Sequence, residues 1–89
     1  MISMRSKLRR GVLTYFYQNP KARIYVRRLA VILEVDSTNL SRELARLARE
    51  GFLRSELEGR QLYYSVNPHY RQLREVMDLL GELAAWDAM

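Results

Sequence analysis

The 89 residues suffice for one small domain and are too few for a two-lobed enzyme cleft. Apolar residues at 48% and charged residues at 28% describe an ordinary globular chain, well away from the composition of disordered segments. With no cysteine, disulfides, thiolate metal sites and thiol redox chemistry are excluded, and the lone His69 cannot assemble a multi-imidazole site within one chain. The net charge of +5 conceals an asymmetry: residues 1–33 carry eight Lys or Arg and no acid, whereas residues 34–89 carry seven against ten acids. A basic front suits a polyanion, either nucleic acid or an acidic membrane surface. No apolar run approaches the roughly 20 residues that cross a bilayer. The basic amino terminus also lacks the apolar region and cleavage site of a secretory signal. The expectation is a cytoplasmic protein with no membrane partner.

In chain order, Met4, Leu8, Val12 and Phe16 recur at i+4 from about Ser3 to Tyr17, with Leu13 and Tyr17 widening the stripe, which predicts an amphipathic helix stopped by Asn19-Pro20. Gly11 inside it suggests close packing by a neighbour. Lys21 to Tyr25 alternates polar and apolar over the length of a short strand. Val26, Leu29, Ala30 and Leu33 then follow the i, i+3, i+4, i+7 template of a two-turn helix. After the turn Glu34-Val35-Asp36, Asp36 is an N-cap for a helix from Ser37. Val35 can pack on Leu40 as a hydrophobic staple, and Gly51 supplies a left-handed stop.

On this helix Leu40, Leu44 and Leu47 fall on one side, with Thr38, Arg42, Arg46 and Arg49 nearly opposite. Phe52–Leu57 and Gln61–Val66 read as strands joined by a turn at Glu58-Gly59-Arg60. Asn67-Pro68 offers an N-cap and proline at N1 for a last helix with the stripe Tyr70, Leu73, Met77, Leu80 and Ala84, and a second apolar edge of Val76, Leu79, Leu83 and Trp86. Two apolar edges exceed what so small a core covers, so a partner is expected there.

The segment Leu29-Ala30, Leu33, Val35, Leu40-Ser41-Arg42, Leu44, Leu47 and Gly51-Phe52-Leu53 resembles the winged helix-turn-helix DNA-binding domains of the ArsR and MarR type, over nearly the whole chain. Within that type it is most similar to the winged-helix segment ahead of some prokaryotic nucleotidyltransferase domains, through Asn19-Pro20, Tyr25-Val26-Arg27, Leu29-Ala30, Tyr63-Tyr64 and Asn67-Pro68. Nothing supplies a nucleotidyltransferase active site, since Asp36, Asp78 and Asp87 are isolated. Glu34 departs from the pattern, standing where such turns often carry Gly. The turn must loosen or hold a non-glycine residue in left-handed backbone.

The resemblance implies a mostly helical α+β fold: a single domain over 1–89, with the helix-turn-helix at about 26–50, a two-stranded wing at about 52–66 and a terminal helix at about 68–86. It implies a sequence-specific duplex-DNA-binding regulator, a homodimeric repressor acting by promoter occlusion. Ser37, Thr38, Asn39, Ser41, Arg42 and Arg46 are then the major-groove residues, Arg27 and Arg28 phosphate contacts at the first helix of the pair, and Arg60 and Gln61 wing contacts. Val76, Leu79, Leu80, Leu83 and Trp86 are the expected dimer contacts. The contrasting reading is a protein-interaction adaptor or antitoxin-like accessory subunit. Most of the six tyrosines fall on apolar periods of the helices or the ribbon, and they read as core or interface, not as stacking platforms. No catalytic set, cofactor site or metal site is expected.

Overall fold

A computed structural model describes residues 6–87, and side chains as far as Glu82. Its elements are α1 (Lys7–Gln18), β1 (Ile24–Tyr25), α2 (Val26–Leu33), α3 (Ser37–Arg49), β2 (Leu53–Glu58), β3 (Gln61–Val66) and α4 (Leu73–Asp87). The strands form one antiparallel sheet in the order β1-β3-β2. Phe16, Leu29, Leu40, Leu44, Leu47, Phe52 and Val76 are fully buried between the helices and the inner face of that sheet. This architecture is an α+β winged helix.

Local chemistry sets most boundaries. The Ser6 hydroxyl caps α1 by accepting the Arg9 N–H at 3.2 Å, and at the other end the Asn19 N–H and Nδ2 both donate to the Tyr15 carbonyl. Asp36 caps α3 by accepting the Asn39 N–H at 2.9 Å. Gly51, at φ 91°, closes α3 in a Schellman motif, with Gly51 N–H on Ala48 O and Phe52 N–H on Leu47 O. Glu34 takes the second course open to it. It sits at φ 55° and ψ 48°, so that Val35 N–H reaches the Ala30 carbonyl and α2 ends in the geometry glycine usually provides. The hairpin turn is Gly59-Arg60, and positive φ at Gly59 but not at Arg60 marks it as type II′.

Three expectations need correction. First, α4 starts at Leu73, not at Pro68. Asn67 Oδ1 takes the His69 N–H, Tyr70 N–H goes to Asn67 O and Leu73 N–H to Tyr70 O, so the segment turns on itself before helix begins. In exchange Asn67 ties the end of β3 to the end of α3, donating from Nδ2 to Gly51 O at 2.9 Å and from its N–H to Phe52 O at 2.8 Å. Tyr70 then packs edge-on against Phe52. Second, none of the described residues lies within 4 Å of where a Cβ on Gly11 would stand. The glycine that permits close approach is Gly81, whose Cβ would meet the Tyr17 hydroxyl at 2.9 Å.

Third, Val76 and Leu80, expected at a dimer interface, are 0% and 2% exposed because they are the residues by which α4 covers its own core. They have no surface left for a second copy. Leu79 is half-buried, and the side chains of Leu83 and Trp86, like Met4, lie outside the described residues.

Candidate nucleic-acid interface

The period of α3 buries Leu40, Leu44 and Leu47 completely and leaves Thr38, Arg42, Arg46 and Arg49 exposed on the outside. Asp36 caps the amino end of α3, which lies near that of α2. A shallow groove there is lined by Val26 and Arg27 of α2 and by Ser37, Thr38, Ser41 and Arg42 of α3. The fold thus brings together five of the residues singled out by sequence. Asn39 is exposed at the same helix end. Arg28, adjacent to Arg27, is exposed but not among those lining the groove, and Arg46 is exposed one turn beyond Arg42. Arg60 is exposed at the hairpin turn, with Gln61 half-buried beside it.

Among the described residues, none of Arg27, Arg28, Arg42, Arg46 and Arg60 has a carboxylate within 4.0 Å. Their charge is therefore free for an anion outside the chain. Two other arginines are committed internally, and sequence reasoning counted both with the free basic front. The Arg9 Nε and Nη2 both donate to Oε2 of Glu43, at 3.0 and 2.8 Å, while Nη1 donates to Glu50 at 3.1 Å. Arg9 and Glu43 are both almost fully buried, locking α1 to the inner side of α3. Burial lowers the affinity of the Arg9 guanidinium for its proton, but hydrogen bonds to Glu43 and Glu50 outweigh it, so the group is held above its ordinary range and stays charged.

Both partners sat on apolar periods, which was the available signal: Arg9 lines up with Leu13 and Phe16, and Glu43 with Leu40 and Leu47. Arg23 is the second committed cation. It lies across β3 with its guanidinium carbon 4.0 Å from the centre of the Tyr63 ring and pairs with Glu58 and, at 3.7 Å, with Glu56, both on β2. Tyr63 in turn meets Tyr25 of β1 edge-on.

The tyrosines behave as structural residues. Tyr64 is buried opposite Ile24, and that burial pushes its phenol above the ordinary range. Tyr15 packs edge-on against Phe16, and Tyr17 lies against Gly81. Among the described residues there is no group of three or more His, Asp or Glu side chains placed to hold a metal ion.

A helix pair with an outward basic groove, flanked by a β-hairpin, defines the winged-helix class. The comparisons with solved structures agree. The chain is similar to HlyU from Vibrio cholerae, with 24% identity over 90% of this chain and 82% of that one and a TM-score of 0.70. The reduced form of HlyU gives 0.69. Heme-free PefR is similar at 14% identity over 94% of this chain and 75% of that one, with a TM-score of 0.67. These likenesses establish the fold. No protein-family model matches the sequence, and no curated protein matches it as a relative.

Proposed function

We propose that this chain is a sequence-specific duplex-DNA-binding transcriptional regulator that inserts α3 into the major groove. The observation that carries the reading is the grouping of Arg27, Ser37, Thr38, Ser41 and Arg42 around one outward groove, with no described acid within 4.0 Å of either arginine. Hydroxyls and forked guanidinium groups at a helix amino end are what base edges and phosphates recognise. The winged-helix fold that the chain shares with HlyU and heme-free PefR is one that presents a helix to the major groove, and this supports the reading. In this reading Arg42 and Arg46 address the groove, Arg27 and Arg28 the adjoining phosphates, and Arg60 and Gln61 reach from the wing. The finer likeness to segments ahead of nucleotidyltransferase domains belongs to the proposal as well, and is carried by the sequence residues alone.

Action by promoter occlusion as a homodimer completes the reading. Two recognition helices about 34 Å apart enter successive major grooves. The α4 contact keeps Leu79, Leu83 and Trp86 from the sequence expectation, without Val76 and Leu80, which the core takes. The experiment is selection of bound duplexes from random sequence, followed by binding of the selected duplex across a salt series. Enrichment of one sequence is expected, with log affinity falling against log salt at about −0.9 for each phosphate contacted. A flat salt response with no enrichment would favour a protein-interaction role instead. Sedimentation of the free and DNA-bound chain tests the dimer separately.

A further inference from the structure

The wing carries its own obstacle to DNA. Strands β2 and β3 and their turn hold two arginines, Arg54 and Arg60, and two glutamates, Glu56 and Glu58, so the hairpin by itself is neutral. Glu58 directly precedes the Gly59-Arg60 turn, within a screening length of any phosphate that Arg60 reaches. Both acids stand on the outer face of the hairpin, on the same side as Tyr63, because Glu56 pairs with Tyr63 and Glu58 with Gln61 in the antiparallel register.

Arg23 enters that face from another part of the chain. It lies immediately before β1, whose Tyr25 pairs with Tyr63, and its guanidinium rests on the Tyr63 ring while its Nη2 faces both carboxylates. Ring and backbone ladder fix the cation at one place above the sheet, and from that place it neutralises the acids nearest the turn.

On the reading that the chain binds DNA, we infer that Arg23 is a positioning and charge-masking residue of the wing. It is not itself a DNA contact. It turns a neutral hairpin into one of net positive charge and holds Glu58 away from the phosphate that Arg60 addresses. The unmasked acids would repel the backbone and draw Arg60 toward Glu58, since a carboxylate released from one guanidinium is an acceptor for the next.

The test is anisotropy of a fluorescein-labelled duplex recovered by the selection above, with three proteins: wild type, Arg23→Ala, and Arg23→Ala combined with Glu56→Gln and Glu58→Gln. Arg23→Ala is expected to weaken binding about three- to tenfold at moderate salt, a gap that closes as salt rises. The triple variant is expected to return to within about twofold of wild type, because the acids that needed masking are gone. Loss of a direct DNA contact, or of the wing's shape, would leave the triple variant as weak as the single one, and that result overturns the inference. So does an Arg23→Ala protein that binds as wild type does. Both results leave the DNA reading intact. A wild-type chain that retains no duplex at any salt overturns the DNA reading itself. Melting curves of all three proteins confirm that the comparison is made among folded chains.

Discussion

Twice in this chain one arginine holds two glutamates, and the two places differ chiefly in water. Arg9 meets Glu43 and Glu50 where α1 crosses α3, with its side chain 7% exposed and that of Glu43 5% exposed. Arg23 meets Glu56 and Glu58 on the outside of the hairpin, with its side chain 38% exposed and both acids more exposed still. A buried pair is a structural commitment, because either partner left alone is a charge without solvent. An exposed one contributes little to stability and is open to competition by salt or by a ligand. Identical chemistry therefore fixes α1 against α3 in one region and sets the charge of the exposed hairpin surface in the other.

The comparison breaks most visibly at Arg9. Arg9→Ala is expected to cost about 3–5 kcal/mol, since it strands Glu43 in the core, and Glu43→Ala less than that, since Arg9 keeps Glu50. A domain of this size holds only about 5–15 kcal/mol in all, so Arg9→Ala should melt far below wild type or fail to fold. Replacing both, as in Arg9→Met with Glu43→Leu, should restore stability to wild type or above it, because packed hydrocarbon then occupies the space and Glu50, 42% exposed, returns to solvent. Chemical denaturation of the single and double variants gives the coupling directly. Singles that melt like wild type would show the pair to be no more than a surface contact.

The next largest effect belongs to the free arginines. Arg42→Ala is expected to cost about 1–3 kcal/mol of affinity for a selected duplex and to relax preference at one base position. Arg46→Ala, one turn further along the same face, should also lower affinity for the selected duplex. Neither should shift the melting temperature appreciably, because both side chains point outward and pair with no described carboxylate. Binding that survives both substitutions at matched salt would remove α3 from the interface.

These contrasts also mark what the sequence could and could not disclose. Helix periods found α2 to the residue, Asp36 placed the start of α3 and Gly51 its stop, and the hairpin was found with its first strand one residue early, at Phe52–Leu57 against Leu53–Glu58, because caps and turns are decided by neighbours in the chain. The start of α4 was not legible. Asn67-Pro68 has the composition of a helix start, yet Asn67 is taken by Gly51 and Phe52, which are remote in sequence. Arg9 and Arg23 were counted as solvated charge for the same reason: their partners are 34 and 35 residues away. The apolar edge of α4 was divided wrongly because a period says that two stripes exist and only packing says which one the core takes.

A smaller effect tests the helix-turn-helix corner. Glu34 occupies left-handed backbone, which costs a residue with a Cβ about 1–2 kcal/mol, and its side chain is exposed with no described partner. Glu34→Gly removes that strain and adds freedom to the unfolded chain, so a net gain of about 0.5–1 kcal/mol is expected. Glu34→Val should lose stability, since a β-branched side chain is poorly placed at positive φ. A glycine variant less stable than wild type would mean that the Glu34 side chain makes a contribution beyond its backbone.

The smallest effect on stability is expected where the ion pair is wettest. Arg23→Ala removes contacts with Glu56, Glu58 and the Tyr63 ring, yet each of those groups returns to water it already touches. The backbone pairing of Ile24 with Tyr64 and Tyr25 with Tyr63 does not depend on the guanidinium, so β1 should stay in its register. Its melting temperature should therefore lie close to wild type, and whatever difference exists at low salt should fade as salt rises past physiological strength, where exposed pairs are screened. The Arg9 variants are expected to show the reverse pattern, a large deficit that salt does not repair, because ions cannot enter the α1–α3 junction. Melting all of them across one salt series separates the two arginines by mechanism. An Arg23→Ala deficit that persists at high salt would show that the guanidinium on Tyr63 holds the sheet together by packing, not by charge.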